Sequence, residues 1–252
     1  MQKLPPKDQL IMGLHALTEL LTHAPDRLLK VYTAAGEGRG RKEEVLDKCR
    51  QLQIPVIFTS HETLDRMCGS DSHQSFAAHV KGRKYYSVKE FLDQFGDEET
   101  SLIVLCDQIF DPQNFGAILR CAECFGVAGV VWSKNRGSDL TPTAAKSSSG
   151  ASEWIPLIRV SNLAESVAEF QKAGYEAVAA ALAPDAENAF TTSFSPKTLL
   201  IVGSEGEGIQ PLILKRADRK IKIPMQGKIG SLNVAQSVAS LLTCASRNKL
   251  SI

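Results

Sequence analysis

The spacing of apolar positions changes from segment to segment, and that spacing predicts where helices and strands lie. Leu14, Leu17, Leu20 and Leu21 recur three and four residues apart, on one face of a helix. Residues 31–33 read as a strand, 43–52 as a helix, and 55–58 and 76–80 as further strands. Beyond residue 100 the alternation is more regular. Apolar runs at 102–106, 129–132, 155–158, 175–182, 199–202 and 221–223 are separated in places by helical patterns, notably 162–172 and 234–246. Short apolar strands alternating with amphipathic helices predict an α/β fold whose mostly parallel sheet is flanked by helices. Ligands of such sheets sit beyond the carboxyl ends of the strands, so the loops after the strands are where chemistry is expected.

Composition sharpens this picture. A chain of 252 residues, 43% hydrophobic and 23% charged, is long enough for one large or two modest folded domains. No run approaches the roughly 20 apolar residues that cross a bilayer, and the first ten residues lack the apolar core of a leader. A soluble, cytoplasmic protein with no membrane partner is expected. The six cysteines do not form a disulfide framework, and the single CxxC of Cys121 and Cys124 has no second pair, so no metal is expected. The net charge of +1 by itself counts against a nucleic-acid partner. Its distribution reverses that inference: the balance is +4 over residues 1–89, −5 over 90–99 and +2 over 100–252. The expected organisation is a small α/β unit at 1–85, an acidic linker at 86–99, whose segment 90–99 reads as a linker or a surface helix, and a larger α/β domain at 100–252.

Three loops carry candidate chemistry. After 102–106 comes DQIFDPQNFG, then a helix bearing Arg120. Asp111, Pro112 and Asn114 suit a helix start, whereas Arg120 would lie within reach of a phosphate or carboxylate; spacing alone leaves capping and function balanced. After 199–202 comes GSEGEG, a glycine-rich turn that fits neither phosphate-binding pattern and whose glutamates would repel a pyrophosphate. A cationic or neutral ligand is compatible with it. After 221–223 comes PMQGKIGSLN, where Ser231 suits the cap of the last helix and Asn233 its first turn.

The segments DPQNFGAILRCAECFG (111–126), IVGSEGEGI (201–209) and IPMQGKIGSLNVAQS (223–237) resemble, in order and spacing, the three signature motifs of SpoU-type, TrmH-like RNA ribose 2′-O-methyltransferases. MGLHALTELL (12–21) and AAKSSSGASEWIPLIRVSNL (144–163) resemble the subgroup that methylates rRNA guanosine. The resemblance spans nearly the whole chain. It implies a domain with a C-terminal trefoil knot that binds S-adenosylmethionine and forms a homodimer. It also implies a small N-terminal α/β domain, similar to ribosomal proteins, that captures RNA. Residue by residue it implies catalytic or RNA-phosphate roles for Asn114 and Arg120, and an acidic active-site role for Glu205. Ser231 and Asn233 would border cofactor and ribose, and the backbone of Gly203, Ile223 and Leu232 would contact the cofactor. Two segments depart from the pattern: Ala179–Ala180–Ala181 replaces a frequent Gly-Thr pair, and His73-Gln74-Ser75 stands where relatives have His-Gln-Gly.

Methyl transfer to a ribose hydroxyl is an in-line displacement in which the protein must bind, align and deprotonate. A guanidinium stays protonated at neutral pH, so Arg120 is expected to clamp the neighbouring phosphate and developing oxyanion rather than act as a base. Three basic clusters are candidate RNA contacts: Arg39, Arg41 and Lys42; Lys81, Arg83 and Lys84 with Tyr85 and Tyr86; and Lys215, Arg216, Arg219, Lys220 and Lys222. A solvated charged face is the alternative, favoured for the third. Competing readings are a tRNA methyltransferase of the same family and a non-catalytic RNA-binding relative. A nicotinamide or nucleotide enzyme would need a phosphate loop that the sequence lacks.

Overall fold

The computed structural model describes residues 8–34 and 40–247, and the chain divides into two compact units. The first runs to Lys84 and includes Leu140–Trp154; the second comprises Tyr85–Asp139 and the residues from Ile155 on.

The first unit is built from β1 (Gln9–Met12), α1 (Leu14–His23), β2 (Leu28–Ala34), α2 (Arg41–Gln51), β3 (Val56–Thr59), α3 (His61–Cys68) and β4 (Phe76–Val80). The strands lie in the order β1-β4-β2-β3, with β2 and β3 parallel and the other pairs antiparallel. Strand alternation splits β4 between two cores. Phe76, Ala78 and Val80 join Leu17, Leu20, Leu21, Val45 and Cys49, whereas Ala77 joins Met12, Leu64 and Cys68. The turn before β4 is strained: Gln74 and Ser75 hold φ values of 52° and 65°, a region that favours glycine. Ser75 donates its backbone N–H to Nδ1 of buried His73 at 3.0 Å, and His73 Nε2 lies 2.9 Å from Asp65.

Beyond Lys84 follow α4 (Val88–Phe95), β5 (Ser101–Cys106), α5 (Pro112–Cys124) and β6 (Gly129–Ser133). The chain then contributes α6 (Pro142–Ser147) to the first unit. It continues as β7 (Leu157–Val160), α7 (Leu163–Lys172), β8 (Glu176–Ala180), β9 (Glu187–Asn188), β10 (Lys197–Val202), α8 (Pro211–Arg216), β11 (Arg219–Lys222) and α9 (Val234–Ser246). The sheet order is β7-β6-β5-β10-β8-β11-β9, parallel throughout. Every residue of β5 is buried, as a strand covered on both faces requires. Ile103 and Leu105 pack with Phe91, Val167, Phe170 and Ile213 in one core, while α5 and α9 pack on each other. Among the described residues no helix is long and apolar enough to cross a membrane.

Three boundaries differ from the sequence expectation, each for a physical reason. The stretch 86–99, expected as a linker or, over 90–99, a surface helix, contains α4. Ser87 and Glu90 close a capping box, and Val88 and Phe91 are buried while Asp93, Glu98 and Glu99 stay exposed. Residues 140–154 belong to the first unit instead of the larger domain, because α6 packs on β1 and the buried Glu153 carboxylate accepts from both Arg27 and Arg83. The strand expected at 155 begins at Leu157, since Pro156 has no N–H to pair.

Candidate functional site

β5 lies between β6 on one side and β10 on the other, so the strand order reverses there and the loops after β5 and β10 meet at a switch point. The junction is tied at the backbone: Asp107 N–H donates to the Val202 carbonyl at 2.8 Å. Asp107 is fully buried, and its two carboxylate oxygens accept from the backbone N–H and side-chain amide of Gln210 at 2.7 and 2.6 Å. Arg136 in turn donates to Gln210 Oε1 at 2.6 Å. Sequence reasoning missed Asp107 and Gln210. The available signal was an acid closing a fully apolar strand, a position that needs dedicated donors.

The first loop places Asp111 as N-cap of α5, accepting from the Gln113 and Asn114 N–H groups at 3.0 and 3.2 Å. Asn114 is therefore not spent on capping. In the third loop the cap of α9 is Asn233, not Ser231 as its sequence position suggested; Asn233 Oδ1 accepts from Ala235 N–H at 2.9 Å. Its amide nitrogen is thereby turned outward. It donates to Glu205 Oε1 at 2.7 Å and to Asn114 Oδ1 at 2.9 Å. Glu205 Oε1 also accepts from Asn114 Nδ2 at 3.3 Å and from the Val234 N–H at 3.2 Å. One carboxylate oxygen thus fastens all three loops together, and none of the described residues donates to the second.

The glycine-rich loop folds back on itself through reciprocal bonds between the backbones of Ser204 and Gly208, at 3.1 and 3.0 Å. A Cβ on Gly203 would come within 2.2 Å of the Gly208 carbonyl, so only glycine permits this closure. Behind it lies a cleft of about 430 Å³ that includes Gly203, Glu205, Ile223, Ser231 and Leu232 in its lining. Its lining is partly apolar, with Ala180, Ala181, Leu182 and Ile221. Glu205 and Glu207 line it, and Lys222 is its basic member.

Two of the expected residues stand apart. Arg120 is exposed, about 120° around α5 from Asn114, and none of the described residues bonds to its guanidinium. Ser231 lines the cleft and is exposed. Burial pushes the Cys106 thiol pKa up to about 12, and burial likewise raises that of Cys121. Among the described residues no group of three or more His, Cys, Asp or Glu gathers as a metal cage.

The basic clusters largely dissolve into structure. Arg83 is buried against Glu153, the Tyr85 ring meets Trp132 edge-on, and Tyr86 packs against the core of the second unit. Arg219 is held by Glu176 and Glu187, and Lys220 by Asp185 at 2.7 Å. Lys42 donates to Ser75 Oγ at 3.2 Å, Arg41 is exposed, and Arg39 lies outside the described residues.

Comparison with known proteins identifies the family. Residues 101–243 match the model of the SpoU rRNA methylase family, and residues 10–86 match that of the RNA 2′-O ribose methyltransferase substrate-binding domain. The 23S rRNA (guanosine-2′-O-)-methyltransferase RlmB of Haemophilus influenzae is 32% identical over 240 residues, covering 95% of this chain and 98% of its own. That of Vibrio cholerae is 31% identical, covering 96% and 98%. The crystal structure of the SpoU methyltransferase AviRb from Streptomyces viridochromogenes, in complex with the cofactor AdoMet, superposes with a TM-score of 0.80. At 24% identity, over 97% of this chain and 91% of that one, it is a likeness of fold.

Proposed function

The chain belongs to the SpoU rRNA methylase family and is an RNA 2′-O-ribose methyltransferase, and we propose that it transfers a methyl group from S-adenosylmethionine to the ribose 2′-hydroxyl of a guanosine in 23S ribosomal RNA. The observation that carries this reading is the convergence of Asn114, Glu205 and Asn233, from three loops, at the edge of one cleft.

The cleft suits the cofactor chemically. An apolar floor for an adenine lies beside two glutamates, a donor set that favours a cation over a polyphosphate. S-adenosylmethionine supplies a methyl group already activated on a sulfonium. The chain supplies the rest. The backbone of Gly203, Ile223 and Leu232 holds the cofactor, and Ser231 and Asn233 border the ribose. Arg120 grips the adjacent phosphate and the charge that develops on the 2′-oxygen, a task for an unpartnered guanidinium. Because that guanidinium keeps its proton, the hydroxyl proton leaves toward an acceptor, and the second oxygen of Glu205 is the carboxylate oxygen left open for it.

The first unit captures the RNA, as the substrate-binding match over residues 10–86 supports. That match, with relatives aligned along both full lengths, favours ribosomal over transfer RNA. The reading also includes a homodimer, the family's trefoil knot in the segment that ends with α9, and work in the cytoplasm on assembling ribosomes. The direct test incubates the protein with methyl-labelled S-adenosylmethionine and either unmethylated 23S rRNA or bulk tRNA, then digests the RNA to nucleosides. Label in 2′-O-methylguanosine from rRNA is expected. Label on a base, or in tRNA alone, would overturn the reading.

A further inference from the structure

Phe110 sits in the loop between β5 and α5, one residue before the cap that presents Asn114, and 60% of its surface is exposed. The loop around it is firmly built. Asp107 is locked by two hydrogen bonds from Gln210. Gln108 holds a left-handed φ of 57°, which a non-glycine residue adopts only when its surroundings enforce it. Ile109 is buried, and its carbonyl accepts from the Ser138 N–H at 2.6 Å. Asp111 is fixed by the two N–H groups it caps. The strained residue thus turns the chain so that the aliphatic side chain goes inward and the aromatic one outward.

We infer that Phe110 is a stacking platform for a nucleobase of the RNA substrate, at the target nucleotide or one beside it. The inference rests on the reading of the chain as an RNA methyltransferase and names how that site seats its substrate. RNA-binding sites recognise unstacked bases through exposed aromatic faces, and such a face costs least entropy on a loop that is already rigid. Asn114, Glu205 and Asn233 are bonded to one another and offer a base no flat surface. Phe110, next in the chain to their scaffold, does. It is a positioning residue: it holds the base in the site and takes no part in the transfer.

The experiment compares the full chain with Phe110→Leu and Phe110→Tyr in steady-state methyl transfer to the rRNA substrate. Phe110→Leu keeps apolar bulk and removes the ring; it should raise KM for RNA roughly tenfold, about 1.4 kcal/mol, with kcat and S-adenosylmethionine affinity unchanged. Phe110→Tyr should restore KM. RNAs carrying an abasic nucleotide at the target or at either neighbour locate the partner: at one of these positions the difference between wild type and Phe110→Leu should vanish. Equal KM values for wild type and Phe110→Leu would overturn the inference. So would a KM difference that survives all three abasic substitutions, or a change in oligomeric state in Phe110→Leu, which would assign the ring to a contact between copies of the chain. A wild-type chain that methylates no RNA would sink the proposed function itself, a separately readable failure.

Discussion

The candidate site residues of the second unit are of two kinds. Asn114, Glu205 and Asn233 are joined to one another by three hydrogen bonds, and a fourth from the Val234 N–H to Glu205 helps tie three loops into one body. Arg120, on the same helix as Asn114, is exposed and has no bonding partner among the described residues. The first group holds the shape of the site before any ligand arrives; the second is left uncompensated for a ligand to satisfy. A bonded residue should therefore register in stability as well as activity, and an unbonded one in activity alone.

The largest effect expected from this contrast is on catalysis. Arg120→Ala should lower methyl transfer by on the order of 10²–10³-fold, the usual loss when a donor to a developing oxyanion is removed. Its melting temperature and its calorimetric affinity for S-adenosylmethionine should equal those of wild type. Loss of cofactor binding in this variant would reassign Arg120 to the cofactor and break the contrast.

The first unit supplies the opposite extreme. Arg83 looked, in sequence, as available as Arg120, yet it and Arg27 share the carboxylate of Glu153, whose side chain is 6% exposed. Glu153→Ala leaves two guanidinium groups facing each other without their acceptor and should cost roughly 3 kcal/mol in denaturant unfolding. Transfer activity in the fraction that remains folded should be retained. A cost below about 1 kcal/mol would mean that solvent reaches this cluster.

Glu205 lies between these extremes. Glu205→Ala removes the acceptor from Asn233, Asn114 and the Val234 N–H, and should cost about 2 kcal/mol of stability together with most of the activity. Glu205→Gln keeps an oxygen for those donors and should recover stability ahead of activity. Equal recovery of both would remove any need for the charge.

How much of this was legible in the sequence depends on the range of the interactions. The periodicity of 102–106, 199–202 and 234–246 located β5, β10 and α9 closely, because burial on both faces of a sheet leaves a pattern in each strand separately. The three motifs named Asn114, Glu205 and Asn233, and the fold brings these together. The cap of α9 was misassigned by two residues because Ser231 and Asn233 are both good caps, and the choice is made by Glu205, 28 positions away. Glu153 as the fastening of 140–154 was invisible for the same reason, its partners lying 126 and 70 positions back. Asp107 looked like the end of an apolar run. Only the fold reveals that Gln210, 103 residues on, supplies its donors.

The smallest effect tests whether being bonded is the same as being favourable. Ser75 is fully engaged: its N–H donates to His73 at 3.0 Å, its carbonyl accepts from Ala34 at 3.1 Å, and its hydroxyl accepts from Lys42 at 3.2 Å. Yet its φ of 65° lies in the region that favours glycine. The left-handed conformation costs a residue with a Cβ about 1–2 kcal/mol, and glycine gives back about 0.4–1 kcal/mol through the freedom of the unfolded chain. The Lys42 contact is exposed, so its loss subtracts little. Ser75→Gly should then stabilise by about 0.5 kcal/mol, a rise in Tm on the order of 1–2 °C, with methyl transfer unchanged. A fall in Tm would mean that the hydroxyl contact outweighs the backbone strain, and that the bonded residues of this protein are the favourable ones even where the backbone resists them.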